Sequence, residues 1–149
     1  MTTLRDQVRE FHLAMNVPVD APKPTVIPDV RVRLRCALIA EEFFETLEAM
    51  MSTNYRIRAL RGDLMAFIAS GHVDVSIPEL ADGLADLDYV VEGTRLEFGI
   101  DGAPIAAEVH RTNMAKVGGP VAPNGKRLKP PGWTPPDIAG ELKRQGWEP

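Results

Sequence analysis

The chain has 149 residues, a formal net charge of −4, 44% apolar residues and 26% charged residues. This length is typical of one globular domain, and the apolar fraction is too high for a disordered chain. An acidic surface repels phosphate backbones, and no segment approaches the ~20 consecutive apolar residues of a membrane span. We therefore expect neither a nucleic-acid polymer nor a membrane as partner.

The single cysteine, Cys36, excludes an internal disulfide. The sequence also lacks the CxxC and clustered His/Cys patterns of zinc sites, so a bound metal should have oxygen ligands. The N-terminal residues MTTLRDQVREFH carry charges where a secretory signal has its apolar segment. The sequence therefore predicts a cytoplasmic protein.

The first predicted helix covers residues 4–15, where apolar residues recur at the spacing of one helix face. Thr3 precedes this helix and Asp6 follows three residues later, which is the spacing of a capping box. Residues 17–28 contain four prolines. Proline lacks a backbone N–H and restricts the residue before it, so this segment should be an extended connector.

The longest predicted helix covers residues 29–51, because no proline or glycine interrupts them. A weaker helical pattern covers residues 55–69, with Gly62 in its interior. The longest helix carries an apolar stripe that should face other helices, formed by Val32, Ile39, Phe43, Leu47 and Met50.

The sequence SIPE at residues 76–79 combines an N-cap serine, an early proline and a capping-box glutamate. A helix is predicted from there to Phe98, with Gly99 after its end, and a fifth over residues 104–116. The proline-rich residues 117–149 should form a C-terminal arm with a short last helical turn. The predicted fold is all-α, one domain with a bundle of about five helices and this arm.

Acidic residues crowd one flank of the longest helix. Glu42 and Glu45 lie about 60° apart around the helix, and Glu41 is one turn from Glu45. Like charges at this spacing repel each other, and the nearest basic residue of this helix, Arg35, is more than one turn away. The pattern therefore predicts a cation from outside this helix.

The fourth predicted helix carries a second acidic group. Asp82 and Asp86 are one turn apart, and Gly83 between them costs ~1 kcal/mol relative to alanine and indicates a close backbone approach. Carboxylates converging from two helices are ligands that Mg²⁺ or Mn²⁺ prefers. The alternative is that both acidic groups form solvated helix faces.

Four motifs occur in order: AEEFFE, ADGLADLDYVVEGT, EVHRTNMAK and NGKRLKPPGWTPPDI. They resemble the motifs of all-α nucleoside triphosphate pyrophosphatases of the MazG-like superfamily, most closely the short phosphoribosyl-ATP pyrophosphohydrolase-like branch. The EFH at residues 10–12 extends the resemblance to nearly the whole chain. This branch includes phage enzymes of the MazZ type, and a phage-encoded member would act in the host cytoplasm.

The resemblance implies an acidic pattern, EExxE followed by ExxD, that binds Mg²⁺ or Mn²⁺. Glu41, Glu42 and Glu45 match its first half without a gap. Glu41 or Glu42 is the candidate base that activates water, and Glu42 and Glu45 are candidate metal ligands. The implied reaction cleaves a nucleoside triphosphate between its α- and β-phosphates and releases monophosphate and pyrophosphate.

The second half of the pattern departs from the family. Asp86 matches the aspartate, whereas Gly83 stands where glutamate is expected and the adjacent Asp82 is taken as its substitute. Asp82 and Asp86 are therefore the remaining candidate metal ligands. Reading ExxD one turn earlier, as Glu79 and Asp82, is an alternative, although Glu79 also suits the capping box.

The resemblance also implies residues that bind the substrate. Relatives act on dUTP, on dGTP or on other deoxynucleotides, and we rank a deoxynucleotide first, with dGTP ahead of dUTP. Asn16, at a position where related sequences often have glycine, could read a base edge, while Trp133 should anchor the arm by packing. The candidate substrate-binding residues are Asn113, Lys116, Lys126, Lys129, Asn16 and Arg111.

The family habit implies a homodimer or a dimer of dimers. Two other classes of function stay open at this point. One is a nucleotide sensor that binds without cleaving, which Gly83 in the ExxD pattern favours. The other is a helical interaction module whose acidic residues are only surface charge.

Overall fold

The computed structural model describes residues 2–51, 55–123 and 125–149, and within them the chain forms helices and one isolated antiparallel bridge between Val121 and Arg127. The predicted all-α class is therefore confirmed. No helix in these residues is long and apolar enough to cross a membrane. The helices are α1 (Leu4–Ala14), α2 (Asp29–Met50), α3 (Tyr55–Ser70), α4 (Ile77–Phe98), α5 (Gly102–Met114) and α6 (Ile138–Arg144).

The chain groups into two compact units. Unit 1 comprises Met1–Pro24, Ile77–Ala122 and Arg127–Pro149, and therefore holds α1, α4, α5 and α6. Unit 2 comprises Thr25–Ser76 and Pro123–Lys126, and holds α2 and α3. The single domain over residues 1–149 remains a prediction.

The start of α1 has the predicted capping box. The Thr3 hydroxyl accepts a hydrogen bond from the Asp6 backbone N–H at 3.2 Å, and the Thr3 backbone N–H donates to the Asp6 carboxylate at 3.0 Å. Each side chain thus pairs a backbone group that the helix leaves without a partner. After α1, residues 17–28 form no helix, as their prolines predict.

The fifth helix begins two residues earlier than predicted. The Asp101 carboxylate accepts a hydrogen bond from the Ala103 backbone N–H at 3.0 Å and caps α5 there, so Pro104 lies inside the first turn. Proline is tolerated at this place because a first-turn N–H has no helical partner. The predicted last turn is confirmed as α6, and Asp137 caps it through the Gly140 backbone N–H at 3.0 Å.

In unit 2, α2 packs on α3, and the buried residues of α2 are Leu34, Ala40 and Phe44. This differs from the predicted stripe, in which Phe43 is 52% exposed and Ile39 and Met50 are exposed as well. Two neighbouring faces of α2 are apolar, so periodicity alone does not show which one packs against α3. The stripe expected to be buried is largely exposed.

In unit 1, α1 packs on α5, and α5 packs on α6. Met15 and Thr112 are buried here, and His110 Nε2 lies 3.3 Å from a carboxylate oxygen of Glu10. The helix α4 differs from these, because its apolar stripe of Leu80, Leu84, Leu87 and Val91 is 44–47% exposed. The residues that the structure describes leave that stripe about half exposed.

Candidate functional site

The acidic face of α2 meets two basic side chains of unit 2. Lys126 Nζ lies 2.6 Å from Oε1 of Glu41 and donates to its Oε2 as well. Nη2 of Arg61 on α3 lies 3.9 Å from Glu41 Oε1 and 3.8 Å from Glu45 Oε1. One cationic atom is thus within 4 Å of two carboxylates. Arg61 and Lys126 thus supply part of the positive charge that the acidic pattern predicts.

Arg61 was not predicted as a site residue. It lies on a different helix, eleven residues beyond the end of α2, and nothing in its local sequence indicates an acidic partner. Lys126 was predicted to bind substrate, and the structure places it on Glu41. Basic residues that neutralise an acidic face can come from any element packed beside it, so the helix pattern alone does not reveal them.

The donor chemistry of this face suits Mg²⁺ or Mn²⁺. Glu42 and Glu45 are exposed, and Glu41 is partly buried. All three present carboxylate oxygens, the ligands that these hard cations prefer. In residues 2–51, 55–123 and 125–149, however, no three His, Cys, Asp or Glu side chains lie close enough together to hold a metal ion.

On α4 of unit 1, Asp82 and Asp86 are exposed one turn apart. Gly83 does not mark the close backbone approach that was predicted, because no other element among the described residues comes within 4 Å of where its Cβ would be. An interior helix glycine with open space beside it has only its conformational cost. The residue is a departure from the family pattern rather than a packing requirement of this chain.

Replacing Gly83 with alanine should therefore stabilise the fold by about 0.8–1.0 kcal/mol, the difference in helix propensity. Thermal unfolding at a fixed protein concentration measures the change. Gly93→Ala is the matched control, because Gly93 also lies inside α4 with nothing within 4 Å. Destabilisation by Gly83→Ala alone would show that another molecule packs against that position.

On α5 and the arm, three of the predicted substrate-binding residues come together. Lys116 Nζ donates to the Asn113 side-chain oxygen at 2.7 Å and lies 5.7 Å from the centre of the Trp133 ring. Lys129 Nζ lies 4.4 Å from the same ring centre. Trp133 Nε1 donates to the Thr112 carbonyl at 2.8 Å. These contacts fit the predicted packing role of Trp133 and gather two ammonium groups on one surface.

Asn16 follows α1 with a φ of +52°. Glycine and asparagine adopt this left-handed conformation most readily, so the backbone alone accounts for an asparagine at this position. Beside it, Arg127 donates from Nη2 to the Met15 carbonyl, while its buried Nε has no hydrogen-bond partner in the part of the chain that the structure describes. The arm is thus fixed to the end of α1. A role of Asn16 in binding a base stays a prediction.

Arg111 is held by its own helix. Its Nε and Nη2 each donate to the Glu108 carboxylate at 2.7 Å, and the Asp137 backbone N–H donates to the same carboxylate at 2.8 Å. The Arg111 hydrogen bonds, and after them the Asp137 N–H, lower the pKa of Glu108 from 4.5 to about 2. Glu108 thus joins α5 to the start of α6. The substrate role of Arg111 stays a prediction.

This lowered pKa predicts a pH dependence. A carboxyl whose folded-state pKa is lowered stabilises the fold above its unfolded pKa and loses that contribution as the pH falls through the folded one. The Tm difference between wild type and Glu108→Gln should therefore be largest above about pH 4.5 and shrink towards pH 2. Thermal unfolding between pH 2 and 7 checks this, with Glu97→Gln, an exposed position on α4, as the control. A difference that does not vary with pH would contradict the assignment.

A cavity of about 260 Å³ lies within unit 1 between α1 and α5. Phe11, His110 and Asn113 are among its lining residues, together with Arg95 from the end of α4. An aromatic ring, an amide and an arginine beside apolar side chains are typical of a small-molecule pocket. Asn113 lines this cavity and also accepts the hydrogen bond from Lys116, so it connects the two.

The comparisons with known proteins agree with the motifs. A family model described as phosphoribosyl-ATP pyrophosphohydrolase matches residues 8–113. The chain belongs to this family. The predicted resemblance is thereby confirmed, and the protein is a pyrophosphohydrolase.

The fold of this pyrophosphohydrolase is similar to a solved structure described as a candidate NTP pyrophosphohydrolase from Exiguobacterium sp. 255-15. The two sequences are 27% identical, the match covers 97% of this chain and 96% of that chain, and the TM-score is 0.70. Among curated proteins, none is significantly similar in sequence to this chain. Pyrophosphohydrolase chemistry requires the positive charge and the water activation that the site residues are predicted to supply.

Proposed function

We propose that the protein hydrolyses a nucleoside triphosphate to monophosphate and pyrophosphate with Mg²⁺ or Mn²⁺. The observation that carries this proposal is the acidic face of α2, where Glu41, Glu42 and Glu45 reproduce the EExxE pattern and one arginine atom lies within 4 Å of two of the carboxylates. Family membership and the description of the solved relative support a triphosphate substrate.

The proposed metal-binding residues are Glu42, Glu45, Asp82 and Asp86. When bound, the divalent ion supplies positive charge that lowers the cost of the developing negative charge at the phosphates. Glu41 or Glu42 orients a water molecule and accepts its proton. Attack of this water at the α-phosphorus breaks the bond to the bridging oxygen, and pyrophosphate leaves.

The remaining predicted residues are proposed to bind the substrate. Lysine gives a compact positive charge suited to phosphate oxygens, and two such groups flank Trp133. We propose a deoxynucleotide, dGTP ahead of dUTP, as in phage enzymes of the MazZ type, acting in the cytoplasm or in a phage host's cytoplasm. The substrate-binding residues are Asn113, Lys116, Lys126 and Lys129, with Asn16 and Arg111 as further candidates.

A product assay tests the reaction. The purified protein is incubated with Mn²⁺ or Mg²⁺ and with each nucleoside and deoxynucleoside triphosphate separately, and monophosphate, diphosphate and pyrophosphate are resolved. Monophosphate and pyrophosphate in equal amounts from one substrate are expected, with the highest rate for dGTP. Release of diphosphate and inorganic phosphate would contradict the proposed bond cleavage, and a higher rate for dUTP would reverse the ranking of substrates.

A sensor that binds a nucleotide without cleaving it is the second candidate, favoured by Gly83 in place of the pattern's glutamate. Tight binding of one triphosphate without any product would support this candidate. Gly83→Glu should then introduce cleavage, whereas Gly83→Ala should not. The interaction module differs from both, because its stability should not respond to Mg²⁺ or Mn²⁺.

We also propose that the protein is a homodimer or a dimer of dimers. The exposed stripe of α4 supports this, since a row of half-exposed leucines is typical of a surface that a partner covers. Light scattering at micromolar concentration should give two or four times the chain mass of 16.4 kDa. A mass near 16.4 kDa would reject the proposal.

A further inference from the structure

Lys126 differs from the other basic residues of the arm because it contacts an acid of the proposed site. Its Nζ engages both oxygens of the Glu41 carboxylate, at 2.6 Å from Oε1. The Glu41 side chain is only 24% exposed, and Arg61 approaches the same Oε1 at 3.9 Å. In this structure, the positive charges of Lys126 and Arg61 therefore offset the negative charge of Glu41.

A divalent cation beside these acids would meet those positive charges. Like charges within a few ångströms repel, so an ammonium group held at Glu41 disfavours a divalent cation on the neighbouring Glu42 and Glu45. Lys126 belongs to unit 2 and lies outside its helices. Its side chain is 38% exposed, so leaving Glu41 breaks a partly exposed ion pair, which costs little.

We propose that Lys126 is the internal counter-ion of the metal site. It neutralises Glu41 while the site lacks a metal, and it leaves Glu41 when a divalent cation binds. The released ammonium group then becomes available to the oxygens of the triphosphate. This inference rests on the proposed function, since it requires the acidic face of α2 to bind the metal.

Chemical labelling of the wild-type protein tests directly whether Lys126 leaves Glu41 when the metal binds. A short pulse of N-hydroxysuccinimidyl acetate acetylates accessible amines, and mass spectrometry reports each lysine separately. Without nucleotide, Mn²⁺ should raise the labelling rate of Lys126 about threefold or more over EDTA, while Lys23 and Lys143 stay unchanged. In Glu41→Gln, Lys126 should be labelled rapidly with or without Mn²⁺. Equal labelling of Lys126 in the wild type with EDTA and with bound Mn²⁺ would overturn the inference.

Metal affinity gives a second readout that does not depend on activity. Lys126→Met should bind Mn²⁺ about 2- to 5-fold more tightly than wild type, as measured by electron paramagnetic resonance of the free ion, because the competing ion pair is gone. Arg58→Met removes an equal charge from α3 of the same unit and should change the affinity less. Unchanged or weaker Mn²⁺ binding by Lys126→Met would overturn this inference but not the proposed metal site. Absence of Mn²⁺ binding by the wild type would overturn the proposed metal site as well.

Discussion

Glu42→Gln is expected to lower kcat by about 100-fold or more while the protein remains folded. The substitution keeps the size of the side chain but removes its charge and its ability to accept a proton, and positioned acid–base groups typically contribute 10²–10⁴-fold. Glu42 is exposed on α2, so the loss should not come from a disturbed core. Asp86→Asn on α4 should have an effect of similar size through weaker metal binding. Steady-state kinetics at saturating substrate, with the Mn²⁺ concentration varied, measures both.

Each of these variants has a control on the same helix. Glu48→Gln on α2 and Asp88→Asn on α4 remove the same charge from positions that lie about 120° from Glu42 and about 160° from Asp86 around the helix axis. Both controls should retain most of the activity, and circular dichroism should be the same for all four variants. Full activity of Glu42→Gln would contradict the catalytic role assigned to Glu42. Equal losses in variant and control would indicate a general effect of charge.

The largest effect on stability is expected for Phe44→Ala. Phe44 is 1% exposed and is the largest fully buried side chain among the residues that the structure describes. It packs edge to face on Phe43, with ring centres 5.4 Å apart. Removing a buried phenylalanine ring costs about 3–5 kcal/mol through lost burial and the cavity left behind. Chemical denaturation at fixed protein and Mn²⁺ concentrations measures the loss.

The neighbouring residue provides the control. Phe43→Ala removes the same ring from a side chain that is 52% exposed, so it should cost well under half as much. In an oligomer that covers this face, Phe43→Ala should instead lower the mass observed by light scattering. Equal costs for the two substitutions would contradict the burial of Phe44 and the exposure of Phe43.

Local sequence signals predicted the helices well where capping groups determine their ends. Thr3 and Asp6 satisfy the first turn of α1 from within the same segment, so that helix begins where the sequence indicates. The start of α5 was misplaced because Pro104 was taken as its first residue, whereas Asp101 caps a helix that begins at Gly102, two residues earlier. Proline is compatible with several positions of a first turn, so it restricts a helix start without fixing it.

The site was predictable only as far as one helix determines it. The spacing of Glu41, Glu42 and Glu45 places them on one flank regardless of tertiary structure. Arg61 depends on how α3 packs on α2, and Lys126 depends on where the arm passes. Such contacts between distant residues leave no local pattern in a single sequence. The same holds for the pairing of Trp133 with Thr112.

Trp133 gives this chain an intrinsic optical probe. The chain has two tryptophans, and Trp147 is 46% exposed. The Trp133 indole instead donates a hydrogen bond to the Thr112 carbonyl and lies beside the ammonium groups of Lys116 and Lys129. Indole emission responds to nearby charge and to solvent, so the two side chains emit in different surroundings. In a Trp147→Phe variant, the tryptophan fluorescence would come from Trp133 alone and would follow the attachment of the arm to α5 in real time, without an added dye.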